Sequence, residues 1–99
     1  NAIKTEVDGY IFASRREANY YLELSLMEKA GEISDIELQP QFPCTVNGKL
    51  VCKYVADFRY YDIKNEYVVT VDVKGFKTPV YRMKKKLVEA IYNIVITEV

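Results

Sequence analysis

Apolar and polar positions divide the chain into a helix, several strands, a second helix and a closing strand. A short extended piece from Val7 to Phe12 comes first. In "SRRE", Ser14 suits a helix N-cap and Glu17 the third helical position, the two halves of a capping box. The helix is expected to run to about Ala30 and to stop at Gly31. Its apolar residues, Ala18, Tyr21, Leu22, Leu24 and Met27, cover a wide arc, which predicts packing on more than one side.

From Ile33 to Gly75 the chain is rich in β-branched and aromatic residues and punctuated by turn signals. Asn47-Gly48 is a strong two-residue hairpin signal. Counting back from it pairs Val46 with Lys49 and Cys44 with Val51. Cys52 then falls opposite Pro43 and faces away from Cys44, so no disulfide is expected between them. A second turn lies at "IKNE", with either Lys64-Asn65 or Ile63 to Glu66 as the loop, and both give one register. Phe58 pairs with Val71, Ala56 with Val73 and Tyr60 with Val69 on an apolar face, the expected core. The opposite face carries Asp57 with Asp72, Arg59 with Thr70 and Val55 with Lys74. In the last segment Thr78 can cap a helix, Pro79 suits its first turn, and Val80, Met83, Leu87 and Ile91 form the expected buried stripe. Arg82, Lys85 and Lys86 fall on its exposed face, and "YNIVITEV" reads as the closing strand. The fold class expected is α+β, sandwich-like. It has an N-terminal helix, a central mixed or antiparallel sheet of four to five strands, a second helix and a closing strand, in one domain over residues 1–99.

Composition narrows the chemistry. The chain has 99 residues, with 49% hydrophobic and 28% charged, the balance of a folded domain. No apolar run approaches membrane-spanning length and no signal-peptide pattern is present, so neither a membrane nor export is expected, and the localisation expected is cytoplasmic. Asn1 and Ala2 read as a cloning remnant outside the functional unit. There is no His, which removes Ser-His-Asp and Cys-His catalysis and His-ligated zinc. Two cysteines are too few for a zinc site and fit a reduced compartment. Catalysis would have to run on carboxylates, Lys, Tyr or a hard metal held by oxygen. The net charge of zero hides a basic segment: Lys74, Lys77, Arg82, Lys84, Lys85 and Lys86 lie between Val73 and Val88 with no acid among them.

Asp57 facing Asp72 is the constellation that invites chemistry. Two carboxylates about 5 Å apart at an effective dielectric near 20 repel by roughly 3 kcal/mol. A divalent cation between them turns repulsion into binding, and Mg²⁺ commonly takes only one or two protein carboxylates. Lys74, two residues beyond Asp72, points to the same face and could neutralise charge developing on a phosphate. Taken alone, Asp-x-Lys on a strand is more often a solvated ion pair; the cross-strand Asp57 is what changes its meaning.

An Asp on one strand, (Asp/Glu)-x-Lys on the next and a preceding helix bearing a Glu resemble the PD-(D/E)XK nuclease superfamily. More closely, "SRREANYYLEL", "LQPQF", "YVADFRYYD", "VDVKGFKTPVYRMKKKL" and "YNIVITEV" resemble a family of small phage and prophage proteins of that type, similar to Holliday-junction resolvases. The resemblance implies a restriction-endonuclease-like core and a divalent-metal-dependent endonuclease acting on DNA, encoded by a phage or prophage and working in the bacterial host's cytoplasm. Branched recombination or replication intermediates are its implied substrates. It makes Asp57 and Asp72 ligands of Mg²⁺ or Mn²⁺, Lys74 the catalytic lysine, and Glu17 a helix-borne acid that completes the metal site. Position 56 is Ala where the superfamily's name has Pro. Glu17 has a rival role in the capping box, and the two readings stand level. Gln39 could bond a ligand or phosphate, although a strand-edge residue before Pro40 is the simpler account. Lys77, Arg82, Lys85 and Lys86 form the expected DNA-binding surface; their bland alternative is a helix kept soluble by lysines with glutamate partners. Tyr60, Tyr61, Tyr67 and Tyr81 could stack on bases, though half-buried strand tyrosines are commoner. A homodimer is expected, because relatives that resolve junctions work as dimers. The rival function is a catalytically inactive nucleic-acid-binding or protein-interaction module of a phage complex that keeps the nuclease fold.

Overall fold

A computed structural model describes residues 3–99; the reading of Asn1 and Ala2 as a remnant lies outside the described residues. The chain is α+β, with two helices and three β assemblies. The expected single extended piece is instead a small hairpin, β1 (Thr5–Val7) and β2 (Tyr10–Phe12). Asp8 and Gly9 turn the chain there with positive φ angles of 53° and 82°, a conformation that glycine adopts without strain.

Helix α1 (Arg15–Lys29) starts where the cap signal placed it: the Ser14 hydroxyl accepts from the Glu17 N–H at 3.1 Å. Ala30 caps its C-terminus and Gly31 follows with φ 78°. Leu24 and Ala18 are buried against the sheet, and Tyr21 packs on Tyr10 and Phe12 of the hairpin. The helix therefore meets two neighbours, as its wide apolar arc implied, although Leu22 itself faces solvent.

The central sheet has four strands in the order β3 (Ile33–Leu38), β6 (Phe58–Asp62), β7 (Tyr67–Asp72), β8 (Ile96–Glu98). The first three pair antiparallel and β8 lies parallel to β7. Phe58 pairs with Val71, Arg59 with Thr70 and Tyr60 with Val69, the register read from "IKNE", with Ile63 to Glu66 as the connecting loop. Strands β4 (Gln41–Val46) and β5 (Lys49–Val55) form a separate ribbon around Asn47-Gly48. Val46 does pair with Lys49, but a bulge follows. Leu50 opposes Thr45, Val51 is the extra residue, and Cys52 comes opposite Cys44. The expectation that the two cysteines face apart is thus corrected; both are free thiols, with Cys44 buried.

Each face of the sheet carries its own core. Phe58, Val71, Ile33, Leu24, Ala18 and Phe12 close one under α1. Phe42, Cys44, Tyr54, Ala56, Val88 and Ile96 close the other, beneath the ribbon and α2 (Pro79–Tyr92). Ala56 belongs to this second core and not beside Phe58 as the pairing scheme had it, because the chain crosses between the two at residues 56 to 58. Four hydrogen bonds pin that crossing. The Ala56 N–H donates to the Pro40 carbonyl at 3.1 Å, and the Gln39 N–H to the Asp57 carbonyl at 3.0 Å. The Asp57 N–H donates both to the Val71 carbonyl and to the Asp72 carboxylate.

The stripe expected to be buried on α2 is also corrected. Val88 is fully buried, with Tyr81 and Leu87 packed beside it, whereas Val80 and Met83 are 56% and 66% exposed and Ile91 is exposed too. The helix is rolled toward its tyrosines: Tyr81 donates its hydroxyl proton to Glu98 at 2.7 Å, and Tyr92 donates to the Pro43 carbonyl at 2.7 Å while its ring meets Phe42 edge-on. Among the described residues, no helix is long and apolar enough to cross a membrane.

Candidate functional site

The site forms where β6 begins and β7 ends. Asp57 sits one residue before β6 and Asp72 is the last residue of β7, so the hairpin register brings them opposite one another. Their backbones and side chains are clasped reciprocally. The Asp57 N–H donates to Asp72 Oδ1 at 3.1 Å, and the Val73 N–H donates to Asp57 Oδ2 at 2.7 Å. Each carboxylate is thus oriented by the strand that carries the other, a rigid arrangement on regular structure.

Asp72 is fully buried, which corrects the picture of a polar, solvated face. That face of the sheet is covered by the second core; Thr70, two residues earlier, is also buried. Among the described residues Asp72 Oδ2 has no hydrogen-bond partner. An unpaired buried carboxylate oxygen is costly unless a cation or proton meets it. Burial raises the Asp72 pKa, against the opposing pull of Lys74 and the Asp57 N–H. Burial likewise raises that of Asp57, opposed by the Val73 N–H and Lys74.

Lys74 lies 3.9 Å from Asp72 Oδ1, with its ammonium 4.9 Å from the centre of the Tyr81 ring. Tyr81 is itself fixed through its hydroxyl to Glu98 on β8, and Glu98 pairs in register with Asp72. The Lys74 N–H donates to the Val99 carbonyl at 3.2 Å. The lysine is therefore held by strand, helix and edge strand together.

Glu17 lines a cavity beside Asp57. Its N–H takes the Ser14 cap, but among the described residues its carboxylate makes no return bond to Ser14. The side chain is instead buried, and its pKa rises to about 6. Burial is the main cause; Asp57 and Asp72 push it further and Lys74 opposes them. Glu17, Gln39 and Asp57 line one cavity of about 180 Å³, closed by Phe12 and Leu38. Gln39 has φ 52° and leads into β4, so it is a corner residue whose backbone bonds Asp57, as well as part of the cavity wall.

Four of the expected DNA-binding residues also meet. Lys77, Arg82, Lys85 and Lys86 surround one groove of about 420 Å³, with Glu98 among them. Lys77 pairs with Glu98 at 3.3 Å and Lys85 with Glu89 at 3.4 Å. Of the tyrosines singled out, Tyr60 packs against the first core, Tyr81 is committed to Glu98, and Tyr67 is 55% exposed on β7. Tyr81 as a prop and Glu98 as its anchor were absent from the sequence reading. Alternation in "ITEV" puts Glu98 on the same face as Ile96, but which strand that face meets depends on the parallel crossover.

The residues present fit a hard divalent cation in part. Among the described residues no group of three His, Cys, Asp or Glu side chains forms a ready-made ligand set. Asp57 and Asp72, with the unpartnered Asp72 Oδ2, supply the two carboxylates that Mg²⁺ ordinarily takes from protein, the remaining positions falling to water and substrate phosphate. A family model described as "Protein of unknown function (DUF1064)" matches residues 1–98. No curated protein and no solved structure matches the chain.

Proposed function

We propose that this chain, which belongs to the DUF1064 family, is a divalent-metal-dependent endonuclease that hydrolyses DNA phosphodiester bonds. The observation that carries the reading is the clasped pair Asp57 and Asp72 with the Lys74 ammonium 3.9 Å from Asp72 Oδ1. A fully buried acid clasped to a half-buried one, next to a propped cation, is costly to a fold and useful to phosphoryl chemistry.

Asp57 and Asp72 would hold Mg²⁺ or Mn²⁺, which when bound supplies Lewis-acid stabilisation of the phosphate and a more acidic water. Lys74 places a positive charge where the phosphate gains negative charge, and its distance from Asp72 is fixed in advance by Tyr81 and the Val99 carbonyl. Glu17, with a pKa near 6, is ionised at neutral pH and can accept a proton at its carboxylate. Lys77, Arg82, Lys85 and Lys86 contact backbone phosphates. Branched phage recombination or replication intermediates are the substrates this reading favours, with two copies of the chain acting as a homodimer in the host cytoplasm.

Incubation with duplex, branched and single-stranded DNA in Mg²⁺ or Mn²⁺ tests the activity. Cleavage by the wild type that disappears in Asp72→Asn is expected. Either metal should also raise the Tm of the wild type and not of Asp72→Asn. Absence of both effects in the wild type would sink the proposal. The second reading, a nucleic-acid-binding module without turnover, draws on the lack of a three-ligand cluster among the described residues. It predicts DNA binding with a steep salt dependence and no cleavage.

A further inference from the structure

The two flanks of α2 are both cationic but not equivalent. On the flank of Lys77, Arg82, Lys85 and Lys86, two of the four cations are already paired with Glu98 and Glu89. Two residues, or about 200° of helical turn, separate Arg82 from Lys84. On that other side lies a groove of about 360 Å³ between β5 and the N-terminal half of α2. Lys53 from β5, Lys74 from the site and Lys84 from α2 line it, and among the described residues no acid does. Among the described residues neither Lys53 nor Lys84 makes an ion pair.

Two further features mark the groove as built for an anion. Tyr54 lines it, is only 4% exposed, and has a buried hydroxyl with no hydrogen-bond partner among the described residues. Thr78, at its helix end, accepts from the Tyr81 N–H through its hydroxyl oxygen, which leaves the hydroxyl proton to donate. The positive end of the α2 dipole lies at this same terminus. Lys74 is already paired with Asp72, which leaves Lys53 and Lys84 as the two ammonium groups an entering anion would meet.

We propose that this groove takes the phosphodiester backbone of one DNA strand and leads it to Lys74, whose ammonium lies 3.9 Å from the buried Asp72. The proposal rests on the nuclease reading above for its substrate, and it makes the Lys53–Lys84 groove, rather than the half-neutralised flank of Arg82, the principal strand track.

The test is anisotropy of a short fluorescein-labelled single-stranded DNA in EDTA across a salt series, with cleavage in Mn²⁺ followed in parallel. The double variant Lys53→Gln/Lys84→Gln is expected to lose at least tenfold in affinity, and the log–log salt slope should fall by about 0.7 for each lysine removed. Arg82→Gln/Lys86→Gln should lose less. Lys53→Gln alone, at an exposed strand position, gives the same direction should the double variant fail to fold. Wild type that does not bind the strand, or groove variants that bind as well as wild type or better than the Arg82→Gln/Lys86→Gln protein, overturn the proposal. The outcomes separate from those of the nuclease reading. Binding that needs Lys53 and Lys84 without any cleavage removes the nuclease and keeps the groove. Cleavage with binding indifferent to both lysines does the reverse.

Discussion

The two faces of the central sheet are covered in different ways, and the difference locates the chemistry. On the α1 face, Phe58 and Val71 meet Leu24, Ile33 and Phe12 in an apolar core that one helix and a short hairpin close. On the other face the same strands present Thr70 and Asp72, yet those residues are buried as completely, beneath the β4–β5 ribbon and α2. One cover is helix α1 with a small hairpin; the other is the β4–β5 ribbon with α2, and a cationic groove runs between its two elements. A polar residue in alternation is therefore no sign of an exposed face when a second layer arrives from elsewhere in the chain. Asp57 opens to the cavity of Glu17 and Gln39 on the α1 side, while Lys74, 3.9 Å from the buried Asp72, lines the groove on the α2 side.

The contrast can be broken by mutation. Leu24→Ala, in the apolar core, is expected to cost about 2–5 kcal/mol of stability in urea unfolding and to leave cleavage intact at temperatures where it stays folded. A loss of activity larger than the loss of folded protein would mean that the α1 core tunes the site directly. Lys74→Ala, on the other side, should do the opposite: a fall in kcat of about 10²–10³ with little change in Tm. Equal losses of stability and turnover would reduce Lys74 to a structural ion pair. Glu17→Gln gives the smallest effect. The Glu17 pKa is raised from 4.5 to about 6, so its stabilising contribution is complete below pH 4.5 and lost as pH rises through 6. The amide should therefore gain about 1 kcal/mol of stability at pH 7, after allowance for solvent screening, and nothing at pH 4. Urea titrations at the two pH values measure it; an unchanged difference would place the Glu17 carboxylate in water.

The hairpin between Phe58 and Val71 was legible because slipping its register by one residue would take Val71 and Val69 from beside Phe58 and Tyr60 and put polar residues there. The helix caps at Ser14 and Thr78 were legible from local chemistry alone. The bulge at Val51 was not: an extra residue in a strand leaves no compositional mark, and it alone decides that Cys44 meets Cys52. The roll of α2 was hidden for a different reason. Val80, Met83, Leu87 and Ile91 and the row through Tyr81 and Val88 are both helical stripes, and the tie is settled by hydroxyl bonds to Glu98 and Pro43 from distant segments. In the site, the facing of Asp57 and Asp72 followed from spacing, whereas the burial of Asp72 and the prop of Tyr81 required the parallel strand β8.

Ala56 explains why the residue ahead of the first aspartate is not the proline that the resembled pattern names. Its amide proton is engaged by the carbonyl of Pro40, where the chain turns from β3 into β4. An imino acid has no such proton, so Ala56→Pro should forfeit that tie, strand a carbonyl inside the fold and lower the denaturation midpoint by the equivalent of about 1–3 kcal/mol. A motif search that insists on proline would pass over any chain whose neighbouring turn needs a donor at this position.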